Sequence, residues 1–156
     1  MTWSCRTRSP ATFVLLALSL PGFAADAPRV TDAWARATPP GAKTGAAYMT
    51  LQGGTMGDRL LGATSEAAAS VELHTVEESD GMARMRRLDS LEIPAGTRVE
   101  LAPGGKHLML IGLGAPLTAG DTLRLVLEFA TSGNRTVEIE IRPAVAEAGH
   151  EHHGHH

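Results

Sequence analysis

The amino-acid sequence predicts an all-β fold, a single β-sandwich or barrel. Three observations point there. From Val30 onward, short apolar runs alternate with Gly, Pro, Asn and Asp punctuation, and no stretch keeps a helical period. Once an N-terminal leader is set aside, about 130 residues remain, enough for one core and one domain.

The leader comes first. Arg6 and Arg8 precede the apolar run 11–20, which ends in Pro21, Gly22, Phe23 and Ala24. This is the order of a secretory signal peptide, so residues 1–24 are expected to be removed and the mature chain exported. A cut after Ala25 fits nearly as well. The apolar run is too short for a permanent span, and no later segment approaches the roughly 18 to 20 apolar residues a membrane helix needs. Cys5, the only cysteine, lies ahead of the apolar run rather than at the cleavage point, where a lipid anchor would need it. The mature chain then has no thiol, which excludes blue-copper centres, cysteine hydrolases and thioredoxin-like redox chemistry.

The strands follow in order: 45–51, 60–65, 71–76, 83–88, 97–101, 107–113, 122–129 and 135–141. Turns separate them at Ser79-Asp80-Gly81, Pro94-Ala95-Gly96, Pro103-Gly104-Gly105, Ala119-Gly120-Asp121 and Ser132-Gly133-Asn134. One domain is expected over 25–143. Beyond it, 144–156 holds His150, His152, His153, His155 and His156 with nothing apolar enough to bury, and reads as a flexible tail. Removal of Arg6 and Arg8 takes the formal charge from −3 to −5. With no basic stripe and only 4% aromatic residues, nucleic acid is not an expected partner.

Outside the tail, the chain has two histidines, His74 and His107, and both sit near methionines. Ten residues separate His74 from Met85, twenty-one separate Met85 from His107, and one separates His107 from Met109. Thioether sulfur is soft and imidazole borderline, so such a set suits Cu(I) better than Zn²⁺, Mg²⁺ or Ca²⁺. Strand alternation sends His107 and Met109 to one face. If Asp80-Gly81 centres a two-residue hairpin, Val76 faces Met85 and His74 faces Arg87, which puts His74 and Met85 on one face and Met82 on the other. A one-residue slip would exchange Met82 for Met85. Taken singly, each residue has a plainer reading: a strand methionine is usually core filler, as for Met49, Met56 and Met82, and a lone histidine is usually a satisfied polar residue.

The spacing His74, Met85, His107-Leu108-Met109 resembles the signature of the periplasmic copper chaperones called PCu(A)C. The resemblance continues through Val30 to Gly41, Thr44 to Met49, Ile93 to Gly96, Pro103 to Leu110 and Leu117 to Asp121. It implies a cupredoxin-like Greek-key β-sandwich in the periplasm, with Cu(I) held by His74, Met85, His107 and Met109. It also implies delivery of copper to the copper-site subunit of cytochrome c oxidase, often with a Sco-type thiol protein. Many members follow the first histidine with methionine; Thr75 stands here, so no fifth ligand is expected from that position.

Other function classes fare worse. Ser65, Ser70 and Ser79 lack a nucleophile-elbow motif, and no enzyme activity is expected. The strongest rival is a copper-buffering or resistance protein without a dedicated client, which would use the same site. The tail histidines form a second candidate site, for Cu(II), Zn²⁺ or Ni²⁺, against the plainer reading of a solvated low-complexity end.

Overall fold

The structure is a computed structural model and describes residues 26–144. The leader and the histidine-rich tail therefore lie outside the described residues. Among those described there are ten strands and no helix: β1 (Arg29–Arg36), β2 (Thr44–Gln52), β3 (Asp58–Thr64), β4 (Ala68–Ser79), β5 (Met82–Arg87), β6 (Leu91–Ile93), β7 (Arg98–Leu101), β8 (His107–Leu113), β9 (Thr122–Phe129) and β10 (Gly133–Arg142). The all-β expectation holds, and all eight expected strands are present.

The strands run in the order β5-β4-β8-β2-β1-β10-β9-β3-β6, and one pairing between β3 and β4 closes the middle of that order on itself. Seven strands thus make a flattened barrel. To it, β5 is added on β4, β6 on β3, and β7 on the second half of β2. Every pairing is antiparallel except that of β1 with β10.

Period-two alternation fills the interior. Leu123, Leu125, Leu127 and Phe129 of β9 are buried while Thr122, Arg124 and Glu128 are exposed. Across β4 and β8 the core-facing pairs are Val71 with Leu110 and Leu73 with Leu108. Burying a leucine contributes about 1.5–3 kcal/mol, so these two strands are fixed from behind and their opposite faces are held in register. Those opposite faces carry the directly opposed pairs Glu72 with Met109 and His74 with His107.

Two elements escape the alternation pattern. β1 contains a register shift between Thr31 and Trp34, where Asp32 adopts φ 50, and the bulge interrupts any two-residue period. β6 is only three residues long.

Candidate metal centre

The β4–β5 hairpin places the first part of the site. Asp80 and Gly81 both have positive φ, 54 and 72, which is the backbone of a two-residue hairpin turn whose twist suits the flanking strands. The register that follows sets Ser79 opposite Met82, Val76 opposite Met85 and His74 opposite Arg87. Met85 therefore shares a face with His74, and Met82 points to the other face. Both methionines are about half exposed, at 53% and 54%, so neither is core filler.

β8 supplies the rest. His107 is buried and Met109 half-buried on its outer face. The rings of His74 and His107 are 6.0 Å apart, centroid to centroid. Met85, His107 and Met109 line one cavity of about 420 Å³, together with Arg36 and Tyr48. His74 is not among the residues lining it and meets the site through its opposition to His107.

The hydrogen bonds fix which nitrogen each ring can offer. His107 Nδ1 lies 3.1 Å from the Gly105 carbonyl, which can only accept, so Nδ1 carries the proton and Nε2 is left with its lone pair. The same carbonyl accepts from the Val76 backbone N–H, which ties the 102–106 turn to β4. His74 Nε2 lies 2.9 Å from Glu72 Oε2. The bond to His74, reinforced by the nearby Arg87 charge, holds the Glu72 carboxyl below the usual carboxylate range despite its partial desolvation. An ionised carboxylate accepts only, so Nε2 donates, and in the neutral ring Nδ1 is bare. That Nδ1 is buried without a hydrogen-bond partner. A buried nitrogen lone pair with no donor is costly unless something else takes it up, and a cation does so.

The candidate donors are two imidazoles and two thioethers. Among the described residues no group of three or more His, Cys, Asp or Glu gathers to hold a metal. Sequence reasoning passed over Glu72, Arg36 and Tyr48. Glu72 was within reach of it, since a residue two positions before His74 must share its strand face. Tyr48 packs 4.7 Å from Trp34 and 6.4 Å from His107, ring to ring, and the irregular register of β1 hides the Trp34 contact from a period-two reading.

A family model described as "Putative lipoprotein LpqE-like" matches residues 29–141. Lxx21020 of Leifsonia xyli subsp. xyli (strain CTCB07), which bears the same lipoprotein designation, is 37% identical over 124 residues, 78% of this chain and 74% of its own length. Among solved structures, the copper-bound PCuAC domain from PmoF2 superposes with a TM-score of 0.65 at 25% identity, covering 78% of this chain and 97% of that one. The Cu(I) form of DR1885 from Deinococcus radiodurans superposes with a TM-score of 0.60 at 34% identity, covering 78% and 83%. The fold is therefore the cupredoxin-like Greek-key sandwich of the PCuAC domains, as the resemblance implies.

Proposed function

The chain belongs to the LpqE-like family, and on that premise we propose that it is an exported copper(I) chaperone with His74, Met85, His107 and Met109 as ligands. The observation that carries the reading is the buried, partnerless Nδ1 of His74, whose ring faces His107 beside two outward-facing methionines. That the similar PmoF2 domain and DR1885 have copper-bound forms adds support.

Copper is cargo here, and the chemistry is ligand exchange. Two neutral thioethers hold Cu(I) without the charge that would favour Cu(II), and they release it stepwise to stronger donors. Met85, half exposed on β5, is the ligand most open to displacement. The client in this reading is a cytochrome c oxidase copper centre, served together with a Sco-type protein. X-ray absorption on the Cu(I)-loaded mature protein tests the site: two sulfurs and two nitrogens are expected, and a nitrogen-only shell overturns it. Transfer to an apo oxidase copper domain tests the word chaperone, since a buffering protein would keep its copper or lose it indiscriminately. Deleting the residues after Pro143 tests the tail: a lower Cu(II) stoichiometry is expected, and an unchanged one removes the tail from the proposal.

A further inference from the structure

Only two buried side-chain nitrogens among the described residues lack a hydrogen-bond partner: His74 Nδ1 and Arg36 Nε. The first belongs to the metal centre. The second lies next to it, because Arg36 lines the same cavity as Met85, His107 and Met109. The Arg36 guanidinium carbon stands 5.8 Å from the centroid of Tyr48, whose ring in turn packs near that of His107. Its neighbour across β1 and β10, Arg142, is bonded to Glu140 and lies over Trp34. Arg36 makes no ion pair with any described carboxylate.

A guanidinium has five N–H donors and no acceptor, and a buried unpaired donor is costly. A partner from outside the chain would remove that cost. An anion is the partner a guanidinium binds most strongly, and here it would enter a cavity whose other wall carries Met85, His107 and Met109. We propose that this cavity is an anion subsite for the incoming ligand of copper transfer, and that the anion is a thiolate. The proposal rests on the copper(I) reading above. A thiol that enters leaves its proton with solvent, helped by the guanidinium, which favours the thiolate over the thiol. Its sulfur bonds to Cu(I) as a methionine sulfur departs. No electron moves, and the charge of the metal with its entering ligand is balanced beside Arg36. A neutral acceptor such as imidazole gains nothing from the guanidinium, so Arg36 selects anionic soft ligands over neutral ones.

The test uses the Cu(I)-loaded mature chain and two acceptors, 2-mercaptoethanol and imidazole. Arg36→Gln is expected to slow copper withdrawal by the thiol about tenfold and to leave withdrawal by imidazole unchanged, with Arg36→Lys recovering part of the loss because it keeps the charge. Equal slowing of both acceptors, or of neither, overturns the subsite. In the apo protein, thiocyanate titrated against the Arg36 Nε–H proton resonance is expected to give a saturable shift, and a linear drift overturns the proposal. That second arm needs no copper. Failure of the wild type to retain Cu(I) would therefore sink the chaperone reading while the anion titration still decides the subsite.

Discussion

His74 and His107 stand directly opposite each other on β4 and β8 and offer different nitrogens: the Glu72 carboxylate holds His74 by Nε2, and the Gly105 carbonyl holds His107 by Nδ1. The rings, 6.0 Å apart, thus have Nδ1 of one and Nε2 of the other available. Carboxylate and carbonyl partners of this kind fix the tautomer and the ring orientation of metal-binding histidines.

Glu72→Ala is therefore expected to lower Cu(I) affinity about 10- to 100-fold in competitive titration. Glu72→Gln should lose less, because its amide oxygen still accepts from Nε2–H. Nitrogen-15 NMR of the apo protein should show the Nε2–H tautomer of His74 in the wild type and a mixture in Glu72→Ala. An unchanged affinity in a folded Glu72→Ala protein would mean that the carboxylate does not position the ring.

The two methionines of β5 are a matched pair for a second experiment. They are equally exposed and three residues apart, yet the register puts Met85 beside His74's face and Met82 on the other. Leucine conserves volume, and surface changes of this kind usually alter stability by less than about 0.5 kcal/mol. Met85→Leu should remove one sulfur from the Cu(I) shell seen by X-ray absorption. Met82→Leu should leave the shell intact, and the reverse result would show that the hairpin slips when copper binds.

Much of this arrangement is legible in the sequence for a physical reason. A two-residue turn at Asp80-Gly81 leaves one register for the hairpin, and alternation alone puts His107 and Met109 together. What alternation cannot reveal is which strands become neighbours. The facing of His74 and His107 depends on β4 lying against β8 across more than thirty residues of chain, a matter of global topology. β1 stayed hidden because its bulge at Asp32 breaks the period, and with it went Trp34 and Arg36. The orphaned Nδ1 is a property of packing, and no spacing announces it.

Gly112 offers a test of the scaffold apart from the site. Its φ is +72, and a Cβ there would sit 2.7 Å from the Cβ of Ala69, which has no flexible end to move aside. Gly112 N–H and Leu113 N–H both donate to the Lys43 carbonyl, so the chain cannot readily rotate away. Gly112→Ala is expected to destabilise the fold by about 1–3 kcal/mol in denaturant titration. Copper affinity of the protein that remains folded should be unchanged, since His107 and Met109 lie before this point on β8.

Asp58 is expected to contribute to acid stability. The residue is 9% exposed, and its carboxylate accepts from the backbone N–H groups of Arg59 and Thr131 on Oδ1, and from the N–H and hydroxyl of Ser132 on Oδ2. Burial alone would raise its pKa, but the Ser132 hydroxyl and the three backbone donors outweigh it and hold the carboxyl below its ordinary value of 3.8. The unfolded chain therefore takes up this proton at a higher pH than the folded one. The stabilisation is complete above the unfolded value and drains away as pH falls below it and through the folded value. Asp58→Asn should cost about 1–3 kcal/mol at pH 7, because the amide nitrogen cannot accept and leaves a donor of the 131–132 turn unpaired. In denaturation series the penalty should shrink as pH falls below the unfolded value, and a penalty that stays constant would place the acid sensitivity of the fold elsewhere.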